Sequence, residues 1–288
     1  MSEPAAELVA EPGRYRLYGS YACPFASRAI IMRALKGLGD AIELTLLDPV
    51  RDPVDGWRFP AGAPDAEYGW RTLNECFVAD DPGFDGRATV PVLWDRKTRR
   101  ILSNDSLAIM RMLDKDFNAL ALRPELDFCP VDQEAAIDAL CGEVHEAIST
   151  GVYRCGSAAS QGEYEAAVTT LFDDLAGFER QLAGCEWLTG EHPTEADLLL
   201  ALTLFRFDSV YATLFKCSIR RIVDHPNLWD FARRVHALPG VAETVDLDEI
   251  KRHYFCANKL NPTGIVPAGP LLDWTPPEAA DRLESPLS

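Results

Sequence analysis

Basic residues are scarce in this chain: 28 Lys and Arg face 45 Asp and Glu, for a formal net charge of −17. A field of that sign repels a phosphate backbone, which argues against a nucleic-acid partner and leaves any anionic ligand to be held by local donors. Long apolar runs are missing as well. The longest, Leu198 to Leu202, is too short to span a bilayer, and residues 1–13 lack the apolar core of a secretory signal. The eight cysteines (Cys23, Cys76, Cys129, Cys141, Cys155, Cys185, Cys217 and Cys256) include no C-x-x-C pair, and no His or Cys stands at zinc-ligand spacing. The expectation is a cytoplasmic protein with unpaired thiols, no membrane segment and no metal. The five histidines pair with no evident nucleophile and read as structural or surface residues.

What is present is a chain of 288 residues, 47% hydrophobic, long enough for two domains with packed cores. Tyr15 and Leu17 alternate as in a half-buried strand, and Ile30, Ile31, Ala34, Leu35 and Leu38 follow at helical spacing. Ile42 to Leu46 alternates again. The stretch from Asp48 to Asp85 is rich in Pro, Gly and Asp, carries Trp57 and Trp70, and holds a short helical segment around Leu73 to Val78. An insertion of that length more often covers a site than merely links elements. Thr89 to Trp94 reads as a strand whose Pro91 belongs at an edge or start. Arg100 to Leu102 continues the sheet, and Asn104-Asp105-Ser106 opens a helix faced by Leu107, Met110, Leu113 and Phe117.

Beyond this α/β domain, placed at 14–118, strand signals almost vanish. Ser160-x-x-Glu163 forms a capping box before the stripe Tyr164, Val168, Leu171, Leu175, Phe178, Leu182. Thr194-x-x-Asp197 opens a helix from Leu198 through Val210, apolar nearly all round, and Pro226 starts one that stops before Pro239. Residues 128–258 therefore read as an all-α domain. A tail, 259–288, carries Pro262, Pro267, Pro270, Pro276, Pro277 and Pro286, cannot be helical throughout, and is expected to pack on the body.

Cys23 is the most informative residue. It ends the first strand and precedes Pro24, which suits the first helical position because its missing N–H would have no partner there. A sulfur at that junction meets free backbone N–H groups and the positive end of a helix dipole, which can bring a thiol pKa from ~8.5 to about 3.5–7.5. The competing reading is an inert, buried cysteine.

Several motifs together resemble the cytosolic glutathione transferases, and most closely the xi class, the glutathionyl-hydroquinone reductases. They are Tyr21-Ala22-Cys23-Pro24-Phe25-Ala26-Ser27-Arg28, Gly86 to Asp95, Ser103 to Ser106, Gly151-Val152-Tyr153, Arg206 to Tyr211, Phe215-Lys216-Cys217, and Asn261 to Pro267. The likeness runs from about Arg14 to Pro270. It implies a thioredoxin-like α/β N-terminal domain, an all-α C-terminal helical domain, a homodimer, and glutathione as co-substrate. It further implies a cis peptide at Val90-Pro91, with Val90 offering its backbone to the cysteinyl part of glutathione. Asp105 and Ser106 would hold the γ-glutamyl ammonium and carboxylate, although plain helix capping explains the same residues. Phe25, Trp57 and Arg87 match further glutathione contacts. Tyr153 and Tyr254 match tyrosines that line the quinone pocket, although buried aromatic packing is the alternative.

The reaction so implied removes glutathione from an aromatic glutathionyl conjugate through a Cys23–glutathione mixed disulfide. Ala26 stands where a dithiol protein would carry its second cysteine, so a second glutathione resolves the intermediate. The reductases usually carry Trp at the position of Phe25, His at Ser27, Glu at Asp105 and Tyr at Phe255. Those departures keep open a glutathione-dependent lyase or omega-like thiol transferase, another low-molecular-weight thiol, or a non-catalytic binding module.

Overall fold

In the computed structural model, which describes residues 8–256 and 259–276, every residue of β1 (Tyr15–Gly19) is buried. The alternation of Tyr15 and Leu17 therefore marks a central strand rather than a half-buried one. β1 pairs in parallel with β2 (Ile42–Leu46) and antiparallel with β3 (Val92–Asp95), and β3 pairs antiparallel with β4 (Arg100–Ser103), giving the order β2-β1-β3-β4. Arg16 survives in this interior because Asp65 (3.0 Å) and Glu43 (2.7 Å) accept from its guanidinium. Asp65 also accepts from the Tyr18 hydroxyl at 2.9 Å. One buried carboxylate of the Asp48–Asp85 insertion is thus fastened to β1 at two points.

Helix α1 (Pro24–Leu35) follows β1, with Cys23 as N-cap and Pro24 at its first position, and ends at Gly37, whose φ of +66° is a left-handed conformation suited to glycine. α2 (Leu73–Asp80) lies in the insertion, opened by a Thr72–Glu75 capping box. α3 (Ser106–Lys115) packs on α1, and its buried residues are Ile109, Met110, Leu113 and Asp114. Ile109, not Leu107, takes the inner position. Lys36, at the end of α1, is wholly buried; its ammonium pairs with Asp114 at 3.2 Å and donates to the carbonyl of Leu126. Burial raises the Asp114 pKa and the Lys36 charge opposes the rise.

The chain divides into two compact units between Asp127 and Phe128. The second contains no strand among the described residues. Its helices are α4 (Glu134–Val144), α5 (Gly151–Ser157), α6 (Gln161–Leu182), α7 (Glu195–Arg206), the single turn α8 (Ala212–Leu214), α9 (Pro226–His236) and α10 (Leu247–Cys256). All twelve residues of α7 are buried. The helix expected from Leu198 to Val210 is α-helical only to Arg206; a π-helical turn, Phe207–Tyr211, follows. The Ser160 hydroxyl accepts from the Glu163 N–H at 3.3 Å, but the Glu163 carboxylate reaches one residue farther back, to the N–H of Ala159 at 2.8 Å. The tail 259–276 has no helix or strand. Trp274 anchors it, stacked on His236 (4.8 Å) and edge-on to Phe205 (5.5 Å). Pro277 and Pro286 lie outside the described residues.

Thr194 and Asp197 form a complete capping box in which Asp197 accepts from the N–H groups of Leu188 and Thr194, both at 2.8 Å. Burial nevertheless pushes the Asp197 carboxyl up to about 6. A carboxyl that binds its proton more tightly when folded adds stability at low pH, and loses that contribution as pH rises through about 6. Asp197→Asn removes this titration. The urea stability of the parent relative to D197N is therefore expected to increase on going from pH 7 to pH 4.5, by an amount on the order of 1–3 kcal/mol. A difference that stays constant between the two pH values refutes the assignment.

Candidate active site

The α/β unit gathers seven of the nine residues singled out from the sequence, and the pairing of its strands explains how. At the carboxyl end of β1 the parallel neighbour β2 also ends, while the antiparallel neighbour β3 begins. Leu47 donates its N–H to the carbonyl of Gly19 at 2.8 Å, and Tyr18 lies opposite Val92. The segments that follow β1, follow β2 and precede β3 therefore leave the sheet side by side. They carry Cys23, Arg51 with Trp57, and Arg87 with Val90 respectively.

Cys23 is 9% exposed, with φ −84° and ψ 118°, and makes no side-chain cap to its helix. Its carbonyl accepts from the N–H of Ser27 at 2.9 Å and from the Ser27 hydroxyl at 2.9 Å. No acidic residue stands in the first turn of α1. Helical N-terminal partial charge therefore reaches the sulfur without a carboxylate to offset it. Phe25 is exposed, and the guanidinium of Arg28 sits 4.9 Å from its ring centre.

The Val90–Pro91 peptide is cis. The Asn104 amide donates to the carbonyls of Thr89 (2.8 Å) and Pro91 (2.6 Å), bracketing Val90. Among the described residues neither the N–H nor the C=O of Val90 bonds to protein, although its side chain is only 5% exposed. Buried backbone groups seldom go unpaired, so this peptide is available to an extended ligand. Asp105 is the N-cap of α3, where one carboxylate oxygen accepts from the N–H of Ala108 at 2.7 Å. The side chain is otherwise exposed, so capping and ligand binding can share it. The Ser106 hydroxyl accepts from Arg28 at 3.1 Å and keeps its own proton to donate. Trp57 is 4% exposed, and Arg87 is exposed.

Arg51 was not among the residues singled out from the sequence. Its guanidinium stacks 5.5 Å over the Trp57 ring. Burial lowers its pKa, the like charge of Arg87 lowers it further, and Cys23 opposes both. No motif marks this residue, an isolated arginine in a Pro- and Asp-rich loop.

The helical unit brings Tyr153 and Tyr254 together, their hydroxyls 2.6 Å apart, and adds Tyr211, whose hydroxyl is 3.0 Å from that of Tyr254. Tyr153 is half-buried, whereas Tyr211 and Tyr254 are buried. Burial, together with the neighbouring phenols, raises the Tyr254 pKa well above its ordinary value, and the Arg206 charge partly opposes the rise. Phe215 stacks on Tyr211 at 5.4 Å and lies 5.3 Å from Tyr153. Gly156 makes that possible, since a Cβ there would stand 2.5 Å from the Phe215 ring. Tyr211 owes its place to the π-helical turn, a feature that apolar periodicity does not signal. No group of His, Cys, Asp and Glu among the described residues could hold a metal ion, and no described helix is long and apolar enough to cross a membrane.

The buried Tyr254 hydroxyl is the one that bonds to both of the others. Tyr254→Phe is therefore expected to lower stability toward urea by about 1–3 kcal/mol. Tyr153→Phe is expected to cost less, because the half-buried position can admit water to the orphaned partner. Equal losses would deny Tyr254 the central role.

Two family models match the chain: the glutathione S-transferase N-terminal domain over residues 22–116 and the C-terminal domain over residues 161–234. The glutathionyl-hydroquinone reductase YqjG of Escherichia coli is 43% identical over 95% of this chain and 84% of its own length. Its glutathione-bound structure superposes with a TM-score of 0.90, covering 96% and 91% of the two chains. The glutathionyl-hydroquinone reductase PcpF of Sphingobium chlorophenolicum is 43% identical over 90% of this chain and 84% of its own. A xi-class glutathione transferase from Natrialba magadii, 40% identical, superposes with a TM-score of 0.91 over 97% of this chain and 86% of that one.

Proposed function

This chain belongs to the xi class of glutathione transferases, the family of the glutathionyl-hydroquinone reductases, and on that premise we propose that it is the enzyme that strips glutathione from aromatic glutathionyl conjugates, using Cys23 as nucleophile. The observation that carries the reading is the junction of β1 and α1: a cysteine at a helix N-terminus, without a nearby acidic residue in its first turn, beside the unpaired peptide of Val90. In this reading Cys23 is the nucleophile and the Val90 peptide the template for the peptide thiol, and both lie on segments that meet the same end of the sheet.

In the first step the Cys23 thiolate attacks the sulfur of the glutathionyl-hydroquinone. A Cys23–glutathione disulfide forms, the carbon–sulfur bond breaks, and its electron pair stays with the ring carbon, which takes up a proton. The ring is reduced and the two sulfurs are oxidised. In the second step the thiolate of another glutathione attacks the mixed disulfide, forming oxidised glutathione and returning the Cys23 thiolate. Val90 pairs with the cysteinyl portion of glutathione through its N–H and C=O. Asp105 takes the γ-glutamyl ammonium with its uncapped oxygen, and Ser106 donates to the carboxylate. Trp57 and Phe25 supply aromatic surface, and Arg87 supplies charge for the tripeptide.

Tyr153, the half-exposed member of the phenol chain, donates to an oxygen of the departing hydroquinone. Tyr254 and Tyr211 stand behind it as donors that keep its hydroxyl oriented. Burial keeps the Tyr254 phenol protonated and able to donate. The chain is assigned to a homodimer and to the cytoplasm on family likeness alone.

Incubation of the reduced protein with oxidised glutathione, followed by intact-mass measurement, is expected to show a single glutathione adduct that maps to Cys23 and disappears on addition of glutathione. Cys23→Ser is expected to abolish both the adduct and the release of free hydroquinone from glutathionyl-hydroquinones. Retained thiol transfer in C23S defeats the mixed-disulfide mechanism. Tyr153→Phe is expected to lower kcat for hydroquinone release about 100-fold while leaving adduct formation on Cys23 intact. An unchanged kcat removes Tyr153 from the chemistry.

A further inference from the structure

Arg51 sits beside a chain rich in carboxylates and uses none of them. Seven residues on, Arg58 pairs with Asp52 (2.7 Å) and Asp55. Asp48 is engaged by the N–H of Val50 at 2.8 Å. Among the described residues Arg51 has no ion pair, and its Nε is buried without a hydrogen-bond acceptor. Stripping water from a guanidinium without supplying an anion is costly, so a half-buried arginine normally finds a carboxylate. Here the aromatic face of Trp57 braces the group, and Gly56 turns the chain beside it with a φ of +71°, a left-handed conformation suited to glycine.

The strand pairing puts Arg51 at the corner of the sheet that also holds Cys23. Because β1 and β2 run in parallel and end together, the segment carrying Arg51 leaves the sheet beside the one carrying Cys23. Charged side chains on the other elements at this corner are Arg28 on α1, Arg87 ahead of β3 and Asp105 at the start of α3. Arg28 is turned toward Phe25 and Ser106, and Asp105 caps its own helix. Of the charges that act on Arg51, Arg87 repels it and Cys23 attracts it.

We propose that Arg51 is the positioning residue of the Cys23 thiolate: a guanidinium braced on Trp57 that holds the sulfur ionised and in place, and that favours its departure as a thiolate when the mixed disulfide is resolved. The proposal rests on the nucleophile reading above. It adds a charge that the helix N-terminus alone does not supply. A fixed cation lowers the pKa of a nearby thiol, and a low-pKa thiol is the better leaving group in the second step.

The test is the pH dependence of Cys23 carboxamidomethylation between pH 4 and 9 by iodoacetamide, in the full-length parent, R51Q, R51M and R51K. Peptide mass mapping separates Cys23 from the exposed Cys256. In R51Q the labelling curve is expected to move to higher pH by about one unit, so that labelling at pH 6 falls about tenfold, and R51K is expected to recover most of the shift. R51M provides a second neutral variant should R51Q not fold, and thermal melts confirm that the compared proteins are folded. A merely structural arginine would change the melt and not the curve. Neutral variants whose curves coincide with the parent overturn the role of Arg51 and leave Cys23 as nucleophile. A parent in which Cys23 resists labelling below pH 8 overturns the ionised-thiol reading as well, so the two failures are distinguishable.

Discussion

The burial of β1 on both faces governs the α/β unit. A strand flanked by neighbours on both edges cannot shift register without losing two ladders of hydrogen bonds at once. Its last residues are therefore fixed, and so is the point at which the chain turns into α1. Lys36 and Asp114 hold the far end of that helix against α3 in a buried ion pair. With both ends set, Cys23 occupies its position as a consequence of the sheet rather than of local sequence. The N-terminal helix position supplies the electrostatics, and the sheet supplies the neighbours.

A second constraint works on the insertion between β2 and β3. Asp65 is anchored by Arg16 and by the Tyr18 hydroxyl, both on β1, and its second oxygen accepts from the N–H groups of Glu67 and Tyr68. Breaking a buried pair of this kind by removing one partner typically costs about 3–5 kcal/mol, because it strands the other charge. The loop that bears Arg51 and Trp57 is thus tied to the same strand that leads to Cys23. A long, proline-rich connection behaves here as a rigid part of the site, consistent with its aromatic content and its internal pairings at Asp52–Gly56 and Arg58–Thr72.

In the helical unit the equivalent constraint is a chain of phenols. Each buried hydroxyl must find a partner, and Tyr153, Tyr254 and Tyr211 satisfy one another. That arrangement draws on three separate elements: α5, the π-helical turn after α7, and α10. The π turn adds one residue to the helical count and rotates Tyr211 relative to an uninterrupted α-helix. Gly156 and Phe215 then close the aromatic surface around it. Packing and polarity are coupled, because only a fully satisfied set of hydroxyls is compatible with this degree of burial.

Much of this was legible in the chain itself. Pro24 after Cys23 marked a helix start, Ile42 to Leu46 marked β2 to the residue, and Thr194-x-x-Asp197 marked a cap that forms in full. These features are local: they depend on residues within one or two turns, and their physics is contained in their spacing. The family motifs likewise implied the cis peptide at Val90–Pro91, which the structure contains. What tertiary structure decided was everything set by distant neighbours. Period two could not tell a central strand from a half-buried one, since the difference lies in Arg16 finding Asp65 across 49 positions. No pattern distinguished Arg51 from other loop arginines, because its stacking on Trp57 is set by how the loop folds back on itself. Sequence determined which segments become strands, helices and caps through local backbone and burial preferences; only the folded chain could choose which charges end up facing each other, because that choice is made by strand order and loop closure.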